Sequence, residues 1–391
     1  MGVDVVTLGC RLNLSESESI RAMLDGDGGD IVVVNSCAVT SEAVRQTRQA
    51  IRRARRANPD ARLLVTGCAA EVEREALGAM SEVDGLVANA AKLDPRSWNA
   101  PVARAPLPPV HTRAFIAIQN GCDHACTFCI IPQGRGTSRS LAVAEVLRVV
   151  GRELERGARE IVLTGVDVTS WGQDLPDRPA LGQLLEAILV AFPTLERLRM
   201  SSVDGVEIDE RMFELFASEP RVMPHLHLSL QHGHDLILKR MKRRHSASQA
   251  ADLVARLLDR RPDIAIGADI IAGFPTETDE HHRANLHQLR ALPVVHAHIF
   301  PYSPRPGTPA ARMPQVDRVM VKRRAAELRA AAAEIREGWL QSQLGRPHRV
   351  LAEADGTGHA ENFATVALPA GTRRGEVITV TPTTLENGLL K

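Results

Sequence analysis

Apolar residues along the first 94 positions come in short runs: Val3–Leu8, Ile31–Asn35, Arg62–Thr66 and Gly85–Ala88. Each has the length of a strand. Between them, near Ser15–Leu24, Glu42–Ala57 and Glu71–Met80, apolar residues recur with helical spacing. This alternation predicts an open parallel sheet covered by helices. Residues 113–300 repeat the pattern. Their strand runs are Arg113–Gln119, Ile161–Thr164, Arg197–Ser201, His225–Leu230, Ile264–Ile270 and Val294–Phe300. Helical stretches lie near Val143–Arg156, Ala180–Ala191, Asp209–Ser218, Ala247–Arg260 and Asp279–Leu289. Six such strands predict a partial parallel barrel whose site is built from the loops after each strand. Residues 317–343, rich in Ala, Arg and Glu, predict a helix. In 346–391, the runs Arg349–Ala352, Phe363–Ala367 and Glu376–Val380 lie between Gly and Pro turns and predict a small β module. Five prolines, Pro95, Pro101, Pro106, Pro108 and Pro109, mark 95–112 as a semi-rigid linker. The expected fold class is α/β: an open parallel unit over 1–94, the linker, a partial (β/α) barrel over 113–343, and a β module over 344–391.

Composition narrows the picture. A chain of 391 residues exceeds one ordinary core. Apolar residues make up 44% and aromatics only 3%, so the cores must be aliphatic. No apolar run reaches the length of a membrane span. The opening residues Met1-Gly-Val-Asp4 lack a basic leader and pass into a strand, so a cytosolic protein is expected. There, six cysteines point to metal or redox chemistry rather than structural disulfides. A formal net charge of +1 argues neither for nor against nucleic acid. Five of the 48 basic residues are lysine and the others arginine, which suits phosphate and base contacts. A GC-rich coding sequence explains that bias equally well.

The cysteines fall into two triads. Cys122-x3-Cys126-x2-Cys129 follows the first barrel strand, and a loop with this spacing can turn all three sulfurs to one point. Thiolates are soft ligands for an iron–sulfur cluster or zinc. Three local ligands would leave one iron of a four-iron cluster open. The other triad is dispersed: Cys10, Cys37 and Cys68 each follow a small residue at a predicted strand end, 27 and 31 residues apart. In an open parallel sheet, functional groups gather beyond the carboxyl ends of strands, so these thiols should converge. A helix stripe, Arg45, Arg48, Arg52 and Arg55, offers an RNA phosphate surface or a solvated face.

The Cys122 loop, with Phe128 before its last cysteine, resembles that of the radical S-adenosylmethionine (SAM) superfamily. The resemblance implies a [4Fe–4S] cluster on Cys122, Cys126 and Cys129, with SAM on the open iron and its cleavage to a 5′-deoxyadenosyl radical. Gly9-Cys-Arg-Leu-Asn13, Asn35-Ser-Cys-Ala-Val-Thr40 and Thr66-Gly-Cys68 resemble the methylthiotransferases within it. That likeness, over about 340 residues, implies a second [4Fe–4S] cluster on Cys10, Cys37 and Cys68 that supplies or carries the inserted sulfur, and two SAM molecules. It also implies a SAM and substrate cavity bounded by Thr164-Gly165-Val-Asp167, Ser201-Ser202, Gln231 and Ile271-Ala-Gly273-Phe-Pro-Thr-Glu277, besides Phe128. Tyr302 and Arg305 would stand at its mouth, and the tail would be an RNA-binding TRAM module.

Leu238-Lys-Arg-Met-Lys-Arg-Arg-His245 resembles the branch that modifies threonylcarbamoyladenosine beside the tRNA anticodon. Lys239, Arg240, Lys242, Arg243 and Arg244 would suit tRNA phosphates. The partners implied are tRNA and a reducing donor such as flavodoxin or ferredoxin. The rivals are isopentenyladenosine in tRNA, an aspartate of a ribosomal protein, and a zinc-stabilised RNA-binding module without catalysis, its three-cysteine site completed by His124. Three positions depart from the family pattern: His232 where Ser is usual, Glu71 where Gln is common, and a shortened connection over 25–30.

Overall fold

The computed structural model describes residues 2–25, 30–99, 112–353 and 355–391. Pro101, Pro106, Pro108 and Pro109 of the expected linker, and most of the shortened 25–30 connection, lie outside them.

Strands β1 (Val3–Thr7), β2 (Ile31–Ser36), β3 (Arg62–Gly67) and β4 (Gly85–Leu86) form one parallel sheet in that order. Helices α1 (Arg11–Leu24) and α2 (Ser41–Ala57) cover it. The Thr40 side chain caps α2, accepting from the Ala43 N–H at 3.0 Å. The helix expected over Glu71–Met80 is two short ones, α3 (Cys68–Val72) and α4 (Arg74–Gly78), broken at Glu73. Helix α3 begins at the cysteine itself, because β3 ends in Gly67 at φ +92°. Register aligns the strand ends: Thr7 pairs with Asn35 and Asn35 with Thr66. Cys10, Cys37 and Cys68 therefore emerge on one edge.

The expected linker begins folded. Pro95–Trp98 is a turn of 3-10 helix, and buried Trp98 donates its Nε1–H to Lys92 O at 2.8 Å.

The barrel starts with β5 (Arg113–Ala117), then β6 (Gln119–Asn120), the cysteine loop, α5 (Ile131–Arg135) and β7 (Arg139–Ser140). It continues through α6 (Val143–Glu155), β8 (Glu160–Thr164), α7 (Leu181–Ala191), β9 (Arg197–Met200), α8 (Glu210–Ser218) and β10 (His225–Gln231). It ends with α9 (Asp235–Arg240), α10 (Ala247–Arg260), β11 (Ala265–Ala272), α11 (Asp279–Ala291), β12 (Val294–Pro301) and α12 (Arg318–Gln341). Strands β5, β8 and β9 pair in parallel, as do β10, β11 and β12, and a Val203–Leu228 bridge joins the two sets. The half-barrel has β12 as a free edge. Arg329 and Arg336 of α12 donate to Ile299 O and Val295 O and cover part of that edge. The core is aliphatic, with Trp171 buried within it.

The tail forms a separate six-stranded sheet of β13 (His348–Ala352), β14 (Thr357–His359), β15 (Thr365–Ala367), β16 (Val377–Val380), β17 (Leu385–Glu386) and β18 (Leu389–Leu390). It seals the amino-terminal end of the barrel. Glu160 accepts from Arg197 at 2.8 Å and Arg199 at 3.0 Å, all three buried. These arginines then donate to the carbonyls of Arg349, His359, Ala360 and Glu361. Among the described residues, no helix is long and apolar enough to cross a membrane.

Candidate active site

The amino-terminal triad rests on glycines. Gly9 has φ +96°, and a Cβ there would come within 2.7 Å of Cys37 Cβ and 2.9 Å of its sulfur. At Gly67 a Cβ would strike the Ser36 carbonyl. The small residues ahead of Cys10 and Cys68 are thus what lets the thiols approach. Cys37 and Cys68 are buried and Cys10 is exposed. Burial pushes Cys37 up to about 11, with repulsion from Cys68 and Cys10 adding to it and the Val39 N–H opposing. Cys68 is raised too, by burial, against the pull of Arg135 and Lys92.

Beside these thiols lies a buried charge cluster that sequence reasoning missed. Glu16 sits between Lys92 Nζ at 2.5 Å and Arg135 Nη1 at 2.9 Å, all three under 3% exposed at the side chain. Arg135 also donates to Asn13 Oδ1 at 2.5 Å and Asn120 Oδ1 at 2.8 Å. Two cations and one carboxylate leave a net positive charge facing three cysteines. The available signal was weak: Glu16 lies in the polar run Ser15-Glu-Ser-Glu-Ser19, Lys92 stands alone in Ala90-Ala-Lys-Leu93, and Arg135 lies in the Gly134-Arg-Gly136 turn.

Arg135 belongs to the barrel loop, so this cluster fastens the two triads together. Gly134, one residue before it, packs on Cys68; a Cβ there would sit 3.2 Å from Cys68 Cβ. Asn89 donates to Gly134 O at 2.5 Å, while its own Oδ1 is buried without a partner.

In the barrel loop, burial pushes Cys129 up to about 11, helped by Cys126 and by Cys68 of the other triad. Cys122 rises to about 12 through burial and the Asp167 charge, whose Oδ2 is 3.6 Å from the sulfur. At neutral pH these groups are thiols, and a bound cation or cluster is what would turn them into thiolate ligands. Three thiols gathered at each of two sites, with a cation beside each, fit iron–sulfur clusters. The cation here is Arg243, which lies 3.7 Å from Cys126 Sγ and donates to Asp204 at 2.8 Å and to Ser229 O at 3.0 Å.

Asp167 follows β8 on a turn shaped by Gln119, whose Oε1 accepts from the N–H groups of Val166 and Asp167 at 3.0 and 2.9 Å. A Cβ on Gly165 would come 2.9 Å from that oxygen, which is why glycine stands there. His124 Nε2 lies 2.7 Å from Asp167 Oδ2, and hydrogen bonds to Asp167 and Glu207 push the imidazole up to about 10. We read Nε2 as the donor to Asp167; Arg244, 3.1 Å away, is then a neighbouring cation and not a donor to it. His124 is thereby committed to carboxylates, and Cys122, His124 and Asp167 group together rather than His124 with all three cysteines.

The other expected positions are dispersed over the ends of β9, β10 and β11 and the cysteine loop. Ser201 follows β9 with a buried Oγ that has no partner, and Ser202 is exposed beside it. Gln231 ends β10 at φ +65°, an unusual value for a side-chain-bearing residue. Phe128 packs with Phe274 and Tyr302 in a small apolar cluster. Gly273 has φ +71°, and a Cβ there would meet Val321 Cγ2 at 2.6 Å. Its need for glycine therefore comes from packing on α12, not from an approaching ligand.

The basic run divides. Lys239 and Lys242 are exposed. Arg240 bonds Thr276 Oγ1 at 2.7 Å, and Arg244 pairs with Glu207 at 2.8 Å. Arg243 is buried against the cysteine loop, so it does not join a phosphate surface. Arg305 is buried, 3.3 Å from Glu73, and braces the barrel mouth to the amino-terminal sheet instead of standing open. Tyr302 keeps a buried, unpartnered hydroxyl. Every member of the Arg45, Arg48, Arg52, Arg55 stripe has an acidic neighbour: Glu42, Glu73, Glu82 and Asp84.

Comparison with known proteins agrees with this geometry. Residues 116–289 match the radical SAM superfamily, and residues 2–88 match the uncharacterized protein family UPF0004. Threonylcarbamoyladenosine tRNA methylthiotransferase MtaB of Rickettsia prowazekii (strain Madrid E) is 41% identical over 99% of this chain and 96% of its own. A tRNA-2-methylthio-N(6)-dimethylallyladenosine synthase of Paracoccus denitrificans (strain Pd 1222) is 31% identical over 90% and 86%. Among solved structures, the radical SAM methyltransferase TsrM from Kitasatospora setae, with cobalamin and a [4Fe–4S] cluster bound, superposes with a TM-score of 0.52 at 18% identity, over 72% of this chain and 66% of that one. The last likeness concerns fold alone.

Proposed function

Because this chain belongs to the radical SAM methylthiotransferases, we propose that it places a methylthio group on carbon 2 of N6-threonylcarbamoyladenosine next to the tRNA anticodon. The observation that carries the reading is the junction of two cysteine triads through one segment: Gly134 against Cys68, and Arg135 into the Glu16–Lys92 cluster. An aromatic C–H has no proton that a side-chain base removes at pH 7, so cofactors must carry the hard step. The enzyme uses SAM and two [4Fe–4S] clusters, which supply radical formation and sulfur transfer when bound.

The chain's own residues divide the remaining work. Cys122, Cys126 and Cys129 would hold one cluster, and Cys10, Cys37 and Cys68 the other. Asp167, held by the Gln119 turn and His124, would offer an acceptor to the SAM amino group. Phe128, Gly165, Ser202, Gln231 and Gly273 would bound the rest of the SAM site, Gly273 through its backbone since its glycine is required by packing on α12. Arg243 and the Lys92–Glu16–Arg135 cluster balance buried negative charge. Lys239 and Lys242 are the members of the basic run available to phosphate. The division into 1–94, the 95–112 linker, 113–343 and 344–391 follows these tasks. A small redox protein such as flavodoxin or ferredoxin would supply electrons, in the cytoplasm.

The threonylcarbamoyl substrate rests on the higher identity and fuller coverage of the MtaB relative. Mass spectrometry of tRNA nucleosides tests it, using a strain without such an enzyme, with and without this chain. The methylthio form of threonylcarbamoyladenosine should appear. Methylthiolation of dimethylallyladenosine alone, or an unchanged nucleoside profile, would reject the assignment.

A further inference from the structure

Three ligating side chains meet inside the half-barrel, apart from both cysteine triads. His227 of β10, Asp269 of β11 and His298 of β12 project from adjacent parallel strands. Asp269 is the register partner of His298, and His227 is the partner of Gly267. Residues two apart on a strand share a face, so Gly267 and Asp269 point the same way. His227 Nε2 lies 3.0 Å from Asp269 Oδ1, and His298 Nδ1 lies 3.1 Å from the same atom. All three ligating atoms fall within 4.8 Å of one another.

We propose that His227, Asp269 and His298 form a third metal site, which takes one divalent first-row transition cation of the zinc or iron(II) type. The separations are close to what the chemistry needs: with bonds of about 2.1 Å at tetrahedral angles, neighbouring ligands stand about 3.4 Å apart, a few tenths of an ångström beyond the hydrogen-bonded separations seen here. Two imidazoles and one carboxylate are a recurring donor set that leaves coordination positions open. The backbone makes room for it: a Cβ at position 267 would run into His227 Nδ1, so only glycine admits this ring pose. Glycine inside a strand costs about 0.5–1 kcal/mol relative to alanine, and here it is used to seat one imidazole. The two rings stand 4.7 Å apart, inclined by 38°, over one carboxylate oxygen.

The surroundings separate this trio from ordinary barrel filling. In the layer below, His296 is spent on Arg336 at 2.7 Å and Asn362 O at 3.2 Å, and His225 stacks on Phe363 at 5.0 Å. Among the described residues, no carboxylate pairs with either of these two rings. The proposed site has one, and it is reachable, since the His298 side chain is 63% exposed. It also lies well short of the cysteines: Gln231 ends β10 four residues beyond His227, about 13 Å along the strand. Open positions on a cation held there would take oxygen ligands.

The test uses protein carrying both clusters, so that the cysteines cannot bind added metal. After anaerobic dialysis against zinc sulfate, the wild type should retain one zinc per chain. His298→Ala and Asp269→Asn should lose it while keeping iron, sulfide and far-UV dichroism unchanged. Manganese(II), followed by the loss of its free electron paramagnetic resonance signal, provides a second probe. Zinc retained equally by both variants, or neither metal bound by the wild type, overturns the site. Because neither probe reads methylthiolation, the outcome is independent of the substrate assignment.

Discussion

Glu16 should be the most sensitive charged residue in the amino-terminal half. Its carboxylate is 2% exposed and lies between Lys92 at 2.5 Å and Arg135 at 2.9 Å. Burial alone would raise its pKa, but the hydrogen bond and charge of Arg135, with the charge of Lys92, hold it below the ordinary range. Replacing Glu16 with Ala leaves two buried cations facing each other without a counter-charge. Breaking a buried pair in this way costs about 3–5 kcal/mol. At roughly 4–8 °C per kcal/mol for a unit of this size, the transition of the amino-terminal sheet should fall by about 12–40 °C. Lys92→Met is the control. It leaves Glu16 with Arg135, one carboxylate with one cation, and should cost less than about 2 kcal/mol. The assay is thermal and urea unfolding of cluster-free protein, followed by far-UV circular dichroism at neutral pH. A loss under about 1 kcal/mol for Glu16→Ala, the size of an exposed pair, would refute the argument. So would a larger loss for Lys92→Met than for Glu16→Ala.

Three further outcomes are expected. Cys122→Ala should abolish SAM cleavage, whereas Cys37→Ala should keep part of it and stop sulfur insertion; full methylthiolation by Cys37→Ala would remove Cys37 from the second cluster. Gly67→Ala combines φ +92° with a collision at Ser36 O and should lower stability by more than about 1 kcal/mol, read as a shifted urea midpoint. Glu160, although its burial opposes ionisation, is depressed from 4.5 to about 2 by Arg199 and Arg197. A depressed acid contributes stability above its unfolded pKa and loses it as pH falls, so the wild type should weaken between about pH 4.5 and 2. Glu160→Gln should show a shallower acid slope in that window, and an identical slope would count against the pairing.

The aliphatic patterning made the strands legible: all six barrel strands lie within two residues of the runs that predicted them at their starts and ends. Short elements were not legible. The α3 and α4 pair, α5, α9 and the strands β14, β17 and β18 are too brief for periodicity to register. The cysteine spacing led to the site because it is local, or repeats at equivalent strand ends. Its charged surroundings were opaque because they are assembled from distant segments: Arg135 meets Glu16 across 119 residues, and Arg243 meets Cys126 across 117. The same distance explains why a run of five basic residues read as one surface. On a short helix and its following turn, such residues point in different directions, and the fold turned Arg243 inward.

The two cysteine triads are tied together by contacts other than the chain connection between them. Residues 129–136 leave the barrel loop at Cys129, turn through α5, and return at Gly136 with φ +75°. Within those eight positions lie one ligand of the barrel triad, the glycine that packs on Cys68, and the arginine that neutralises Glu16. The contact is tight enough for Cys68 to bear on the ionisation of Cys129. Arg305 adds a second tie, 3.3 Å from Glu73 and 3.4 Å from Ser41 Oγ. Two ties through separate segments constrain the arrangement more than a chain connection alone does. The Cys122 loop and the amino-terminal triad are thereby held together by side-chain and backbone contacts as well as by the chain.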